Sequence, residues 1–255
     1  MTVELSSLEE FALIRLNRAE ALNALSFSII RELEVAIEKV AASNARAVLI
    51  IGEGEKSFCA GADIKELMGR SISDQKRGAE LGQRVFHKLS LLPMPTVAII
   101  NGFAFGGGLE LALACTFRLA TENARMAFPE IKLGLIPGYG GTQRLPRVVG
   151  ESKALELIMT GRVVKPEEGE RIGLVNRLIK TPPLDAGVSF AREFSGFGML
   201  ALGYAREAVQ RALDLPVSEG LKVEADLSTL AYQTEDADEG MKAFIEKRNP
   251  EFKDR

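Results

Sequence analysis

Short, fully apolar runs alternate along the first half of the chain with segments whose apolar residues recur at helical spacing. Residues 48–51 and 97–100 are apolar at every position, a pattern typical of strands buried on both faces of a parallel sheet. Residues 75–92 have the spacing of an amphipathic helix, whose inward positions are Leu81, Val85, Leu89 and Leu92. Because strands and helices alternate, the sequence predicts an α/β protein with a mostly parallel sheet.

The same periodicities predict elements towards both ends of the chain. Residues 2–16 are expected to form two short strands, and Ser26 is placed to cap the helix that follows them. Further strands are predicted at residues 117–121, 125–128 and 174–179, in a second half that is otherwise mostly helical. We therefore divide the chain into an α/β core, residues 1–195, and a C-terminal helical region, residues 196–255.

One stretch has a composition close to that of a membrane span, because Glu110 is the only charge between Lys88 and Arg118. Pro93, Pro95 and a run of glycines interrupt it, so a buried strand, a glycine loop and a buried helix explain it better. The chain also balances 32 Lys and Arg against 35 Asp and Glu. This balance argues against nucleic acid or a membrane surface as a partner.

Scarce residue types exclude several classes of site. The chain has two cysteines, Cys59 and Cys115, which do not make a secreted disulfide framework, and one histidine, His87. A His-based metal site lacks ligands, so no metal is predicted, and a Ser-His-Asp triad would depend on that single histidine. The first residues show neither the basic nor the apolar part of a signal peptide, so we expect a cytoplasmic protein.

Two parts of the chain repeat the same order of features. The run at 48–51 leads through Gly52 to the small residues 59–62, and the run at 97–100 leads to the glycines at 106–108. In a parallel sheet, such loops meet at the carboxyl ends of the strands, where ligands bind. The alternative is that small residues merely allow close packing, and either run alone leaves both explanations open.

Glu110 is the only charge in a predicted helix, residues 107–115, that is apolar on all sides and should therefore be buried. A buried carboxylate is costly to desolvate unless it is paired. The plain structural alternative is that Glu110 caps the first turn of its own helix. We favour a functional role, because carboxylates with perturbed pKa values cluster at active sites.

Glu130 is a second carboxylate among apolar residues, and it follows Pro129 in what should be a first helical turn. Taken alone, such a glutamate is usually a solvated helix start. Two carboxylates in apolar surroundings can instead hold a water molecule and act as general base and general acid.

The third candidate group is the main chain itself. Ala60 and Gly107 are predicted where loops enter helices, so their N–H groups lack intrahelical partners and lie at positive dipole ends. Two such donors aimed at one point form an oxyanion hole. A dinucleotide-binding loop is a weak alternative, because Gly106 and Gly108 fit G-x-G-x-x-G but Leu111 does not.

With these residues the chain resembles the enoyl-CoA hydratase/isomerase (crotonase) family over essentially its whole length. The matching segments follow the order of the family, at residues 16–25, 58–64, 101–111, 128–131, 134–138, 140–145 and 239–248. Ala19, Glu20 and Thr116 depart from the frequent pattern, at positions away from the chemistry.

The resemblance implies a spiral of strand-strand-helix units with a C-terminal helical region that mediates trimer formation, often in hexamers. It implies an enoyl-CoA hydratase, a hydro-lyase of fatty-acid β-oxidation that adds water reversibly to a trans-2-enoyl-CoA. Glu110 and Glu130 would activate the water, and the amides of Ala60 and Gly107 would hold the thioester oxygen. No cofactor is expected, because coenzyme A is part of the substrate. The residues that the resemblance assigns to substrate binding are Ala60, Gly61, Ala62, Asp63, Ile64, Gly107, Gly138 and Lys247.

Two other functions are alternatives. An isomerase of the same family would only move the double bond, and members that do so commonly lack one of the two glutamates. A non-catalytic, RNA-binding member is disfavoured by the balanced charge. The sequence leaves the length of the acyl chain open.

Overall fold

Strands alternate with helices in the first half of the chain and the second half is mostly helical in the computed structural model, which describes residues 2–180 and 182–255. The strands are β1 (Val3–Leu8), β2 (Phe11–Leu16), β3 (Val48–Gly52), β4 (Ser57–Cys59), β5 (Thr96–Ile100), β6 (Phe103–Phe105), β7 (Phe117–Ala120), β8 (Arg125–Ala127) and β9 (Arg177–Leu178). The helices are α1 (Phe27–Ala41), α2 (Ile64–Leu67), α3 (Ile72–Ser90), α4 (Gly107–Ala114), α5 (Gly141–Val149), α6 (Glu151–Thr160), α7 (Pro166–Arg171), α8 (Pro183–Ser195), α9 (Met199–Arg211), α10 (Val217–Ala231) and α11 (Glu235–Glu246). Two short 3₁₀ turns lie at Ala19–Ala21 and Pro129–Leu133.

The strands form two sheets. The larger has the order β1-β2-β3-β5-β7-β9 and is parallel except for the antiparallel pair of β1 and β2. The smaller has the order β4-β6-β8 and is parallel throughout. Three times in succession the chain adds one strand to the larger sheet and the next to the smaller sheet, and then forms a helix. This topology confirms the predicted spiral of strand-strand-helix units.

The centre of the larger sheet is the part that apolar patterning predicts best. Every residue of β3 and β5 is buried, and the two strands pair in parallel with Val48 opposite Thr96. The Ser26 hydroxyl caps α1, as predicted, by accepting a hydrogen bond from the Ile29 amide at 3.1 Å. Helix α3 begins three residues before its predicted start because the Ser71 hydroxyl caps it, accepting from the Asp74 amide.

The stretch between Lys88 and Arg118 forms β5, β6 and the fully buried α4, so its predicted division into strand, loop and helix is confirmed with one added strand. Among residues 2–180 and 182–255, no helix combines the length and apolar character that crossing a membrane requires.

The chain forms two compact units. One comprises the residues before Pro93 together with Thr96–Ser189, and contains both sheets. The other comprises Pro93–Pro95 and Phe190–Arg255, and contains α9, α10 and α11. Helix α8 contributes to both units, and the predicted domain boundary at residue 195 stays a prediction.

Candidate active site

The loops that follow β4 and β6 meet beside the smaller sheet, because these two strands are parallel neighbours. A Cβ added at Gly61 would lie 2.7 Å from Phe105 O and 3.4 Å from Gly107 N. Gly61 and Gly106 have φ values of +99° and +49°, which side chains other than hydrogen rarely allow. The predicted meeting of the two small-residue runs is therefore confirmed, and both runs need glycine for backbone reasons.

A segment just before α1 fixes the loop after β4. The Leu25 amide donates to Gly61 O at 2.7 Å, and the Asp63 amide donates to Leu25 O at 2.8 Å. The buried Asn23 amide group donates to Ser57 O at 2.8 Å. The loop is thus held by hydrogen bonds on both sides of Gly61.

These hydrogen bonds decide which amides of the loop are available. The Ala60 N–H donates to Leu22 O at 3.0 Å, so the prediction that Ala60 supplies a donor to the substrate is wrong. The Ala62 N–H, two residues further on, has no acceptor among the described residues, and Ala62 is only half-buried. Ala62 therefore supplies an unoccupied donor in this loop.

Gly107 supplies a second unoccupied donor. It is the first residue of α4, so its N–H has no partner within the helix, and no other described residue accepts from it. The positive end of the helix dipole adds to the partial charge there. Because Gly61 is bonded to Ala62, and a Cβ added at Gly61 would lie 3.4 Å from Gly107 N, both free donors lie where the two loops approach each other.

Glu110 lies in the first turn of α4 and is only 1% exposed. Its Oε1 accepts hydrogen bonds from the Tyr139 and Gly141 amides, both at 2.7 Å. These donors come from the loop before α5, so the alternative that Glu110 caps its own helix is wrong. Burial raises the pKa of the carboxyl group to about 7, although both amide hydrogen bonds oppose the shift.

Glu130 lies in the 3₁₀ turn Pro129–Leu133 and faces the start of α4. A Cβ added at Gly106 would lie 2.6 Å from its Oε1, and its Oε2 is buried without a hydrogen-bond partner. The alternative of a solvated helix start is therefore wrong for Glu130. Burial raises the pKa of this carboxyl as well, and its charge contributes to the raised pKa of Glu110.

The loop between Glu130 and α5 brings in residues that the sequence did not single out. Arg144 donates to Tyr139 O at 3.1 Å, and its charge favours the ionised form of Glu110. Gln83 in α3 donates to Gly138 O at 2.9 Å, which ties the loop to that helix. Tyr139 is an aromatic residue within the glycine-rich run 138–141, and this unusual position is the sequence feature that could have indicated a role for the loop.

Three further residues that the resemblance assigns to substrate binding are Asp63, Ile64 and Lys247. Asp63 caps α2 by accepting from the Lys65 amide, and forms an ion pair with Arg18 at 3.0 Å. Ile64 is 53% exposed, beside the loop that carries Ala62. Lys247 is exposed at the end of α11, in the other unit, and its part in binding stays a prediction.

The site thus joins two unoccupied backbone donors to two carboxylates with raised pKa values. The donors suit an oxygen that gains negative charge, and the carboxylates suit the transfer of protons to and from a water molecule. The described residues contain no group of three His, Cys, Asp or Glu side chains that could hold a metal ion.

Comparison with known proteins finds a family that matches nearly the whole chain. Residues 8–255 match the family described as Enoyl-CoA hydratase/isomerase. The chain is 43% identical over 244 residues to a probable enoyl-CoA hydratase of Rhizobium meliloti, covering 95% of this chain and 94% of the relative. It is 40% identical to a crotonyl-CoA hydratase of Syntrophomonas wolfei, covering 96% and 95% of the two chains.

A solved structure shares the fold. The crystal structure of enoyl-CoA hydratase from Bacillus anthracis matches with a TM-score of 0.95 and 35% sequence identity, covering 100% of both chains.

Proposed function

Since this chain belongs to the enoyl-CoA hydratase/isomerase family, we propose that it adds water across the 2,3 double bond of a trans-2-enoyl-CoA. The product is a 3-hydroxyacyl-CoA, and the enzyme is a hydro-lyase. One observation carries the proposal: the buried Glu110 carboxylate and its neighbour Glu130 lie beside two unoccupied amide donors. The relative named crotonyl-CoA hydratase supports the same reaction.

The amides of Ala62 and Gly107 bind the thioester oxygen in this mechanism. Hydrogen bonding to that oxygen draws electrons out of the conjugated double bond and makes Cβ electrophilic. As water attacks, negative charge grows on the oxygen, and the two fixed donors stabilise this enolate more than they stabilise the substrate. Ala62, and not the predicted Ala60, is the donor in this loop, because the Ala60 amide already donates to Leu22 O.

Glu110 and Glu130 handle the protons. Glu110 takes one proton from the water as its oxygen bonds to Cβ, since the Tyr139 and Gly141 amides favour the ionised form of its carboxyl. Glu130 gives a proton to Cα as the enolate collapses. The pair then exchanges one proton and returns to its starting state, so water alone is consumed. These steps need no metal or redox cofactor, and coenzyme A enters as part of the substrate.

The enzyme acts as a homo-oligomer, a trimer or a hexamer, in our proposal. Its second unit carries many exposed apolar side chains, among them Val217 and Phe244, which are 79% and 85% exposed. Apolar surface of this extent on short helices is typical of a face that another chain covers.

The direct test is incubation of the protein with trans-2-butenoyl-CoA while the absorbance of the conjugated thioester is followed. Hydration removes the conjugation and forms 3-hydroxybutyryl-CoA, which mass spectrometry identifies by the added water. The isomerase alternative predicts instead that a 3-enoyl-CoA gains conjugation while a 2-enoyl-CoA takes up no water. That second outcome would contradict the proposed hydratase.

A further inference from the structure

We propose that the Tyr139 ring closes the acyl end of the site and restricts the enzyme to short acyl chains. The inference rests on the proposed hydration and adds to it the size class of the substrate and the residue that sets it.

The ring lies between α3 and α4. A Cβ added at Gly82 in α3 would lie 2.2 Å from Tyr139 Cδ1, and one added at Gly107 would lie 3.2 Å from Cδ2. Tyr139 is only 6% exposed. The two glycines therefore form a slot that the ring fills from side to side.

The ring is also supported from behind. Phe86, which is fully buried in α3, meets it edge to face with the ring centroids 5.7 Å apart and an interplanar angle of 86°. Such aromatic pairs add to the stability of a packed core. Any displacement of the ring towards α3 would have to move Phe86.

The main chain of Tyr139 is fixed as firmly as its ring. Its N–H donates to Glu110 Oε1 at 2.7 Å, and its carbonyl accepts from Arg144 at 3.1 Å. A loop shift that withdrew the ring would break the support of the catalytic carboxylate. Burial, followed by the Glu110 charge, raises the pKa of the phenol to about 12, so the ring is a neutral wall at physiological pH.

This placement limits the acyl chain. The Gly107 amide fixes the carbonyl end of the enoyl group, and Glu110 lies near Cβ, where the water is added. The Tyr139 ring borders Gly107, and the Tyr139 main-chain N–H binds Glu110, so the atoms beyond Cβ begin their path next to Tyr139. A methyl group at Cβ fits against the ring, whereas a long chain would need the slot that the ring occupies.

The test compares kcat/KM for trans-2-butenoyl-CoA and trans-2-octenoyl-CoA in the wild type, Tyr139→Phe and Tyr139→Ala. We expect the wild type to prefer the four-carbon substrate by about tenfold or more, the range that packing of a few methylene groups supplies. Tyr139→Phe keeps the ring and should keep this ratio. Tyr139→Ala opens the slot and should raise the eight-carbon to four-carbon ratio by about tenfold or more.

Three results would overturn the assignment of Tyr139: a wild type that uses both chain lengths equally, a Tyr139→Ala ratio equal to that of the wild type, or a loss of selectivity in Tyr139→Phe. If Tyr139→Ala fails to fold, Tyr139→Leu fills part of the slot, and its ratio should lie on the long-chain side of the wild type. A Tyr139→Leu ratio equal to the wild-type ratio would count against the assignment. A wild type that hydrates neither substrate would contradict the proposed function itself.

Discussion

Glu110 is a buried acid, and the folded protein is more stable with its carboxyl group neutral than with it ionised. Its folded-state pKa of about 7 lies above the ordinary 4.5, mainly because burial opposes ionisation. The stability from the neutral form is therefore complete below about pH 4.5 and is lost as the pH rises through about 7. In the proposed mechanism, the same raised pKa lets the carboxyl group exchange protons near neutral pH.

The variant Glu110→Gln measures the loss of stability that comes from ionising Glu110. The Gln carbonyl oxygen can still accept from Tyr139 and Gly141, but the side chain no longer ionises. We expect the wild type to lose roughly 2 to 3 kcal/mol of unfolding free energy between pH 5 and pH 8 relative to the variant. Urea unfolding of both proteins at the two pH values measures this difference. If the unfolding free energy of both proteins changed equally between the two pH values, Glu110 would have an ordinary pKa.

In the proposed mechanism, Gly107 acts through its N–H alone. Proline is well tolerated at the first position of a helix, so Gly107→Pro should remove the donor with α4 still formed. Gly107→Ala is the matched control, because it adds the same Cβ contact with Tyr139 but keeps the N–H. We expect the proline variant to lose about 10²- to 10³-fold in kcat relative to the alanine variant.

Circular dichroism must show that both Gly107 variants are folded. Equal kcat values in the two folded variants would mean that the thioester oxygen is bound elsewhere.

At the scale of elements, the strained segment before α1 positions the donor loop. Leu22 and Asn23 both have positive φ, +53° and +56°, and the Asn23 side chain donates to Glu53 O and Ser57 O. Asparagine tolerates this left-handed conformation better than most residues. The segment therefore combines local strain with hydrogen bonds that hold β4 and the loop after it.

Asn23→Gly and Asn23→Ala separate the two effects. Both remove the hydrogen bonds and should cost about 1 to 3 kcal/mol of unfolding free energy, because buried carbonyl groups lose their donor. Alanine should cost about 1 kcal/mol more than glycine, since it resists positive φ. Both should lower kcat as the Ala62 amide loses its fixed position. Unfolding and kinetics measured together test this, and unchanged kcat in both variants would exclude a positioning role.

The elements also show what the sequence predicts and what it does not. Strands β3 and β5 are five buried residues each, long enough for an apolar run to be evident. Strands β4 and β6 have three residues each, too few for any periodicity, so the apolar pattern does not predict them. Their pairing nevertheless brings the two donor loops together. The donor at Ala62 rather than Ala60 depends on a hydrogen bond to Leu22, far away in sequence, which local patterning does not encode.

At the scale of the whole molecule, the second unit exposes several large apolar side chains. Val209, Leu213 and Ile245 are 72%, 65% and 80% exposed, in addition to Val217 and Phe244. The apolar positions of the C-terminal region predict an interface from the sequence alone, because short helices without a sheet have no interior of their own to fill.

We expect sedimentation velocity at micromolar concentration to show a trimer or hexamer. Phe244→Ser should shift the population towards smaller species, because it removes one of the most exposed apolar side chains of α11. Lys242→Ser, at an exposed polar position of the same helix, is the control and should leave the assembly intact. A fully active wild-type monomer would contradict this prediction.

The most direct test of the account is the hydration rate of trans-2-butenoyl-CoA in the wild type, Glu110→Gln, Glu130→Gln and the double variant. If both carboxyl groups act on one water molecule, each single change should lower kcat by about 10³-fold or more, and the double change should cost little beyond either. Near-normal hydration by Glu110→Gln, or losses that multiply in the double variant, would contradict a mechanism in which the two glutamates act as one unit.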